Sequence, residues 1–440
     1  MTALALEGVT VSVDVLGCRS NLCDCDALAS ELAARGAVVG HRLAGARAAL
    51  IVTCSVTAEA DRKSRAFVRR ARRALGEEGL VAACGCWAQR LGAEEARELG
   101  VDIVAGTRGR ARIPDAIETM LRDGRSFLDL RRGLDQDEGW DEMPCRPAFH
   151  TKAFMKVQEG CAHRCSYCLI PSVRGRRPIS RPLASVLDEA RRLAEGGCKE
   201  IVLTGTDLGA WGRDLGTGLD ALVRALGEVE GLERLRLGSI EPFSLTEGLL
   251  GALAESSIFC PHLHLPMQSG NDRVLALMRR GHDAEAFARV CEEARAALGP
   301  DLHISTDVMT GFPGEDDAAF EETLALMRRC SLGRAHVFPF SARPGTPAMG
   351  LPDQVSSKER DARAKRAIAL GGELLRAYAA RSVGRVLPVL VEGARGRAAR
   401  GHVPCYLEVA WDADGARPSE IVPVEIVSVT EGGSLVGRVS

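Results

Sequence analysis

The sequence lacks any long uncharged apolar run, and this excludes one class of protein. No stretch of the 440 residues approaches the roughly 18 uncharged apolar residues that a membrane helix needs. The first residues, MTALALEGVTVSVDV, have no basic segment and no cleavage site of the kind that a secretory signal carries. We therefore expect a protein that has no membrane partner and works in the cytoplasm.

The sequence also lacks a net positive charge and contains few lysines. The formal net charge is −2, and only six of the 57 basic residues are Lys. The total charge therefore does not indicate a nucleic-acid binder, and any contact with RNA must depend on local basic patches. Arginine suits phosphate recognition and base stacking, although a GC-rich genome also explains its excess.

Cysteine, in contrast, is abundant, with 15 residues. In a chain without an export signal, clustered cysteines favour metal binding or redox chemistry over disulfides. The densest group is Cys161-Ala-His-Arg-Cys165-Ser-Tyr-Cys168. Three thiolates in one short loop can hold three irons of a [4Fe–4S] cluster and leave the fourth iron open to a small molecule. A zinc site completed by His163 is the alternative, but zinc motifs usually come as paired CxxC units, and the sequence has no such pair.

Residues 10–122 alternate strand-like apolar runs with helix-like runs. Such a βα repeat predicts a parallel sheet covered by helices. The predicted strands are Val11–Leu16, Ala48–Thr53, Gly79–Cys84 and Val101–Ala105, and the predicted helices cover about 24–35, 61–75, 88–98 and 110–122. Residues 124–150 show little periodicity and are interpreted as a linker.

A second βα series begins at Lys152. Its six strands alternate with amphipathic stretches, which predicts a (β/α)6 partial TIM barrel with its chemistry in the loops that follow the strands. The predicted strands are Ala153–Gln158, Glu200–Gly205, Arg234–Ile240, His262–Pro266, His303–Thr310 and Ala335–Phe340. The first strand runs directly into the cysteine loop, as that rule predicts.

The pattern changes again near the end of the sequence. A long helix is predicted at about 355–382, and short runs separated by turn residues follow it at Val386–Val391, Val403–Val409, Ile421–Val429 and Leu435–Val439. Short strands with such punctuation predict a small β-barrel. The chain is thus predicted to be an α/β protein of three domains: 9–123, 147–382 and 383–440.

A second set of cysteines follows the strands of the N-terminal repeat. Cys18 and Cys54 each follow a strand-like run, and Cys86 comes two residues after a third. Because the carboxyl ends of parallel strands meet at one edge of a sheet, the three thiols can converge. Cys84 competes with Cys86, and buried cysteines also serve simply as small apolar residues.

Several motifs together resemble the methylthiotransferase branch of the radical S-adenosylmethionine (SAM) superfamily. They span nearly the whole chain: GCAHRCSYCLIPSVRGR (160–176), LTGTDLGAWG (203–212), SIEP (239–242), LHLPMQSGND (263–272), TDVMTGFPGE (306–315) and FPFSARPGTPA (338–348). The resemblance implies two [4Fe–4S] clusters, each with one open iron. Their ligands would be Cys161, Cys165 and Cys168 for the radical cluster, and Cys18, Cys54 and Cys86 for an auxiliary cluster. The GC-aromatic-AQ context favours Cys86 over Cys84.

The resemblance also implies a chemistry. One SAM methylates a sulfur carried at the auxiliary cluster, and another supplies a 5′-deoxyadenosyl radical that abstracts hydrogen from an unactivated carbon. Such a carbon has no acid–base route at ordinary pKa values. The candidate SAM-binding residues lie near the ends of the barrel strands: Gly205, Ser239, Glu241, Gln268, Ser269 and Asp307. Each of the polar ones could equally be a structural residue.

Two basic stretches are candidates for RNA contact, one within residues 61–73 and one after the cysteine loop. The residues concerned are Arg62, Lys63, Arg65, Arg174, Arg176 and Arg177. A run of charged residues is usually a solvated helix face. Beside an active site, however, contact with RNA phosphates is the favoured interpretation. The C-terminal segment resembles the TRAM domain, which is an RNA-binding module in this family.

Three substrates are known in this family: isopentenyladenosine in tRNA, threonylcarbamoyladenosine in tRNA, and an aspartate of a ribosomal protein. CSVTAEADRKSR (54–65) and SARPGTPA (341–348) most resemble the threonylcarbamoyladenosine branch. We therefore predict methylthiolation at C2 of N6-threonylcarbamoyladenosine at tRNA position 37, with a basic residue pairing with its carboxylate. The isopentenyladenosine and the ribosomal-protein substrates are the alternatives. The expected partners are the tRNA anticodon stem-loop, a flavodoxin- or ferredoxin-like electron donor and a sulfur donor.

Overall fold

A computed structural model of the chain describes residues 6–134, 139–143, 151–396, 398–413 and 415–439. Two α/β regions are followed by an all-β region, so the predicted α/β fold class is confirmed. Cys145 and the predicted domain start at residue 147 lie outside the described residues. Across the described residues, every helix is too short or too polar to traverse a lipid bilayer.

The first sheet has six parallel strands in the order β2-β1-β3-β4-β5-β6. They are β1 (Thr10–Val15), β2 (Val38–Gly40), β3 (Ala48–Thr53), β4 (Leu80–Gly85), β5 (Ile103–Val104) and β6 (Leu128–Asp129). The helices are α1 (Arg19–Ala34), α2 (Ala58–Leu75), α3 (Cys86–Arg90), α4 (Ala93–Glu98) and α5 (Ile113–Asp123). The sequence did not predict β2 and β6, because strands of two or three residues at a sheet edge leave no periodic pattern.

Both faces of this sheet are covered by helices, which explains why its central strands are continuous apolar runs. Strands β3 and β4 are buried along their whole length. Leu50 of β3 packs in one core cluster with Leu28 of α1, while its neighbour Ile51 packs in another with Val68 of α2. Alternate residues of one strand therefore hold helices on opposite sides of the sheet.

The second region is a partial barrel with six parallel strands in its wall. A bridge between Ser239 and His264 joins its two hydrogen-bonded sheets. The strands are β7 (Ala153–Glu159), β8 (Ile179–Ser180), β9 (Glu200–Gly205), β10 (Arg234–Leu237), β11 (His262–His264), β12 (His303–Thr310) and β13 (Arg334–Pro339). Strand β8 was not predicted from the sequence. It pairs antiparallel with the end of β7. The predicted (β/α)6 architecture is confirmed.

The helices of this region alternate with its strands, and the last one leads into the third region of the chain. They are α6 (Ile170–Arg174), α7 (Leu183–Glu195), α8 (Leu219–Gly227), α9 (Glu247–Glu255), α10 (Asp272–Met278), α11 (Ala284–Leu298), α12 (Asp317–Arg329) and α13 (Ser357–Ala380). Ser356 and Glu359 form a capping box that satisfies backbone donors at the start of α13. The described residues also form short 3-10 helices at Arg110–Arg112, Leu208–Ala210, Arg213–Leu215, Pro242–Ser244 and Pro347–Gly350.

The last region is a closed five-stranded barrel in the order β14-β15-β16-β18-β17. Its strands are β14 (Val386–Arg395), β15 (Ala398–His402), β16 (Glu408–Asp412), β17 (Ile421–Val429) and β18 (Leu435–Val439). The single strand predicted at Val403–Val409 is wrong. Pro404 and the left-handed Tyr406 (φ 66°) form a turn there, which separates β15 from β16.

That turn attaches the β-barrel to the rest of the chain. Arg236 of β10 donates to the Pro404 carbonyl (2.8 Å), and its guanidinium lies 4.4 Å from the Tyr406 ring centre. The Tyr406 hydroxyl accepts a hydrogen bond from Arg19 (3.2 Å), which directly follows Cys18. The C-terminal barrel therefore contacts both the partial barrel and the first helix.

Gly85, the last residue of β4, allows the sheet to present Cys86. Its φ is 93° and ψ is −164°, and a Cβ there would lie 2.5 Å from the Thr53 carbonyl oxygen. A side chain would push β3 and β4 apart where the chain turns into α3. Only glycine adopts this backbone conformation readily.

We predict that Gly85→Ala destabilises the protein more than Gly76→Ala. Gly76 has a similar conformation (φ 63°, ψ −158°), but a Cβ there meets nothing within 4 Å. Both variants carry backbone strain of about 1–3 kcal/mol, and only Gly85→Ala adds a backbone clash. Melting temperatures from calorimetry measure the difference, and equal values for the two variants would contradict this packing.

Candidate functional site

Three cysteines meet at the carboxyl edge of the first sheet. Cys54 directly follows β3, Cys86 is the first residue of α3, and Cys18 is the N-cap of α1. Burial raises the pKa of the Cys86 thiol to about 12, with nearby Arg174 opposing the rise and the Cys18 and Cys54 thiols adding to it. Burial likewise raises the pKa of Cys54, and Cys18 contributes. The three sulfurs therefore lie close enough for their charges to interact.

Two polar side chains fix the backbone around these three cysteines, and neither was predicted from the sequence. The Asn21 amide donates to the carbonyls of Leu16 (2.6 Å) and Thr53 (3.0 Å), which fixes the ends of β1 and β3 together. The Ser64 hydroxyl accepts from the Cys54 N–H (3.2 Å) and donates to the Cys54 carbonyl (3.0 Å). A polar residue three positions after Cys18 in LGCRSN was the available signal for Asn21.

Cys84, the competitor of Cys86, lies in the interior of β4. It belongs to an apolar cluster with Leu50, Val52 and Ile103. Its environment is that of a small core residue. Cys86 faces the cavity described below, so the geometry favours it as a ligand.

The second cysteine group lies in the loop after β7. The Cys161 N–H donates to the Gly175 carbonyl (3.0 Å), and the Ser166 N–H donates to the Met278 carbonyl (3.0 Å). Burial raises the pKa of Cys168 to about 11, and Cys165 adds to the rise. Burial also raises the pKa of Cys161, to which Cys168 and Cys165 contribute. This loop therefore brings three further thiols together.

His163, the alternative zinc ligand, is held by Asp207. Its Nε2 lies 3.0 Å from Asp207 Oδ2, and this contact raises the pKa of the imidazole. One ligand atom each from Cys161, His163 and Asp207 lie within 4.8 Å of one another. Zinc on these three would leave Cys165 and Cys168 without a role, so the three-thiol set remains the better account of the loop.

One buried arginine contacts each thiol group. Arg174 of α6 donates from Nε to Cys86 Sγ (3.3 Å), and Arg280 donates to Cys165 Sγ (3.5 Å). Arg280 is also paired with Glu241. Neither arginine was assigned this position from the sequence, because the contact requires segments that are distant along the chain.

The placement of Arg174 corrects one prediction. Arg174 is 1 % exposed, so it is not part of an RNA-binding surface. Its side chain is directed inward because Glu159, Asn21 and Cys86 accept its donors. Arg176 and Arg177, in contrast, are exposed.

The basic residues of α2 lie on the surface and are partly paired. Arg62 and Lys63 contact Glu59, and Arg65 contacts Glu95. Exposed ion pairs of this kind contribute little to stability. These side chains therefore remain available to other anions.

The candidate SAM-binding residues lie in several places. Ser239 and Glu241 follow β10, Gly205 ends β9, and Gln268 and Asp307 line the cavity described next. The Gln268 side-chain oxygen is buried without a hydrogen-bond partner among the described residues, and its backbone is left-handed (φ 66°). An unpartnered buried acceptor indicates a ligand or water position.

Two of these candidates have structural contacts. Ser269 is fully buried, lies 3.3 Å from the Thr323 hydroxyl and accepts from the Asn271 N–H. These contacts give its hydroxyl a structural role, and its predicted role in SAM binding stays a prediction. A Cβ on Gly205 would lie 2.9 Å from the Gln158 Cβ. Gln158 in turn donates to the Gly160 carbonyl (2.7 Å) just before Cys161. Gly205 thus allows Gln158 to hold the start of the cysteine loop.

A cavity of about 200 Å³ lies between the two thiol groups. Cys86 lines one side and Cys168 another, so both groups have access to one interior space. Most of the other lining residues are apolar: Val56, Tyr167, Leu169, Ile170, Val173, Met309, Phe338, Pro339 and Phe340. Asp307 is the charged residue among the described lining residues. An apolar cavity with a few polar groups is typical of a small-molecule site.

Both thiol groups fit iron–sulfur clusters. Each offers three cysteines, of which Cys18 is exposed and the other five are buried or half-buried. Burial raises the pKa of Cys86 and of Cys161, so these two thiols are costly to ionise without a bound cation. A metal cluster binds thiolates and supplies the positive charge that such sites need. With three protein ligands each, either cluster would keep one iron without a protein ligand.

Comparison with known proteins supports this interpretation. Residues 155–327 match the Radical SAM superfamily, and residues 10–106 match a family described as Uncharacterized protein family UPF0004. A radical SAM methyltransferase, TsrM from Kitasatospora setae, superposes with a TM-score of 0.56 at 14 % identity, covering 78 % of this chain and 74 % of that one. At this identity the likeness concerns the fold alone.

Two relatives match nearly the whole chain. The tRNA-2-methylthio-N(6)-dimethylallyladenosine synthase of Cereibacter sphaeroides is 38 % identical over 96 % of this chain and 97 % of its own. The enzyme of the same name from Sphingopyxis alaskensis is 37 % identical over 95 % of each chain.

These relatives overturn the predicted threonylcarbamoyladenosine substrate. Their names refer to dimethylallyladenosine, so the substrate predicted from two short segments is wrong.

The full-length relatives and the matches to the Radical SAM superfamily and to UPF0004 together show the family. Its cofactors are the two [4Fe–4S] clusters and SAM expected from the sequence. The chain belongs to the radical SAM methylthiotransferase family, whose enzymes transfer a methylthio group.

Proposed function

We propose that this enzyme inserts a methylthio group at C2 of N6-dimethylallyladenosine in tRNA, with SAM as methyl and radical source. The observation that carries this proposal is the cavity of about 200 Å³ shared by Cys86 and Cys168. A base there would have the sulfur-carrying site on one side and the radical-generating site on the other. The names of the full-length relatives support the same substrate.

The apolar lining suits a prenyl group better than a charged one. Tyr167, Ile170, Val173 and Phe338 line the cavity. Burying the five carbons of a dimethylallyl group against such side chains is favourable, at about 0.8 kcal/mol per buried CH₂. A carboxylate in the same place would lose its hydration without gaining a cation.

Six cysteines are the proposed ligands. Cys161, Cys165 and Cys168 hold the cluster that binds SAM, and the remaining three hold the auxiliary cluster: Cys18, Cys54 and Cys86. When bound, these groups supply the radical and the sulfur. The chain itself excludes water from the cavity and fixes the spacing between the two sites.

The tRNA anticodon stem-loop is the proposed macromolecular substrate. Arg62, Lys63 and Arg65 are at the start of α2, which follows the cavity residues Ser55, Val56 and Thr57 along the chain. Phosphates of a stem-loop whose base enters the cavity could reach this helix. The C-terminal β-barrel, residues 383–440, is the proposed TRAM-like RNA-binding domain, beside a methylthiotransferase domain (9–123) and a radical SAM domain (147–382).

The outer face of the cysteine loop is the proposed docking site of the electron donor. A wide cavity of about 500 Å³ opens there and is lined by Cys165 and Cys168 together with the exposed Arg164, Arg176 and Arg279. Positive charge around a redox site attracts acidic partners such as flavodoxin- or ferredoxin-like proteins. A separate sulfur donor and the reducing cytoplasm complete the proposal.

We predict that the anaerobically reconstituted enzyme modifies only one kind of anticodon stem-loop. Stem-loops carrying dimethylallyladenosine, threonylcarbamoyladenosine or unmodified adenosine would be incubated with SAM and a reductant, and their nucleosides analysed by mass spectrometry. The prenylated stem-loop should gain the methylthio group. Product from the threonylcarbamoyl substrate, or modification of a ribosomal protein instead of any stem-loop, would refute the proposal.

We predict that serine at Cys18, Cys54 or Cys86 lowers bound iron from about eight to about four per chain, since each cluster holds four irons. These variants should still form 5′-deoxyadenosine from SAM but no methylthio product. Cys84→Ala is the matched control and should keep all the iron. Loss of four irons in Cys84→Ala, with none lost in Cys86→Ser, would assign the third ligand to Cys84.

We predict that Phe338→Ala raises the KM for the prenylated stem-loop about tenfold, because losing an apolar contact costs about 1–3 kcal/mol. Turnover at saturating substrate should change little, since the contact is equal in ground and transition states. Phe338→Leu should restore most of the affinity, and Phe127→Ala, away from the cavity, should have no effect. An unchanged KM in Phe338→Ala would remove Phe338 from the prenyl-binding wall.

A further inference from the structure

The guanidinium of Arg174 contacts residues of three different elements. It donates to Cys86 Sγ (3.3 Å), Glu159 Oε1 (2.5 Å) and Asn21 Oδ1 (2.7 Å). Cys86 begins α3, Glu159 ends β7 two residues before Cys161, and Asn21 is three residues after Cys18. Arg174 itself is in α6, the helix that follows Cys168.

The charge of Arg174 is only partly compensated. Its carboxylate partner, Glu159, is also bound by Lys156 (2.9 Å) and Arg110 (3.3 Å). Lys156 and Arg110 share a second carboxylate, Asp24. Among the described residues in direct contact, three buried cations thus share two carboxylates, and Arg174 is the one of the three that contacts Cys86.

The corresponding contact at the radical loop, which is the loop after β7 that carries Cys161, Cys165 and Cys168, differs in charge. Arg280 reaches Cys165 Sγ at 3.5 Å, but it also forms a two-pronged ion pair with Glu241. Glu241 therefore neutralises Arg280 locally. Of these two arginines, only Arg174 directs an incompletely paired charge at a thiol.

We propose that Arg174 is a positioning residue that raises the reduction potential of the auxiliary cluster and holds it beside the radical loop. This role rests on the proposed function, because it requires a cluster on Cys18, Cys54 and Cys86. Net charge and hydrogen bonds to ligand sulfurs set such potentials. A cation at hydrogen-bond distance stabilises the more negative, reduced form, and burial strengthens the effect.

The test isolates the auxiliary cluster. The triple variant Cys161→Ala/Cys165→Ala/Cys168→Ala of the full chain serves as the parent, because it removes the radical-site ligands. Arg174→Met, Arg174→Lys and Arg363→Met are added to it separately. Arg363 is also buried and ion-paired, with Glu315 and Asp317, but bonds to no cysteine among the described residues.

Redox titration followed by electron paramagnetic resonance gives the potential of each reconstituted variant. In Arg174→Met the ratio of reduced to oxidised cluster at the parent's midpoint should fall at least tenfold, a shift of about 59 mV for one electron. Arg174→Lys keeps the charge and should remain closer to the parent. Arg363→Met should not shift the potential.

The outcomes separate the role of Arg174 from the ligand assignment. A parent that binds no cluster would overturn the assignment of Cys18, Cys54 and Cys86, and with it this role. A parent that binds a cluster whose potential is unchanged in Arg174→Met would overturn only the role of Arg174. If Arg174→Met does not fold, Arg174→Gln, which removes the charge and keeps polar donors, decides: a potential lower than that of the parent supports the charge effect, and an unchanged one contradicts it.

Discussion

The contact between α6 and α3 is the constraint on which the rest of the structure depends. There Arg174 joins Cys86 to Glu159, and so joins the first sheet to the partial barrel. A fully buried ion network is costly to break, because removing one partner leaves an uncompensated charge. Val173, the neighbour of Arg174, and Cys86 both line the cavity, so this contact is next to the space that one cysteine of each thiol group reaches. The size and lining of the cavity then determine what substrate can enter.

Much of the fold could be predicted from the sequence, for a physical reason. Apolar runs of period two and helical stretches of period 3.6 encode the βα repeats directly. The thiol groups could be predicted too, because Cys18 and Cys54 follow strand-like runs and parallel strands end at one edge. What could not be predicted are contacts between distant segments. Asn21 bridging β1 and β3, and Arg174 turned inward rather than toward RNA, depend on packing that no local pattern records.

The substrate prediction failed for a related reason. It rested on two short segments, 54–65 and 341–348, that contribute four of the described lining residues of the cavity: Ser55, Val56, Thr57 and Ser341. The character of the cavity comes from Tyr167, Ile170, Val173 and Phe338, which belong to other segments. Specificity for a prenyl or a carboxylate group is a property of that combined surface. The full-length relatives match 95–96 % of this chain, so they were a better guide than two short segments.

The central claim is that two cysteine triads hold separate clusters on opposite sides of one apolar cavity. A crystal structure of the anaerobically reconstituted full chain, with anomalous scattering measured at the iron edge, tests it most directly. The account predicts two four-iron peaks, one bounded by the sulfurs of residues 18, 54 and 86 and one by those of 161, 165 and 168, with the cavity between them. A single iron peak, or a peak ligated by Cys84 or His163 instead, would contradict it.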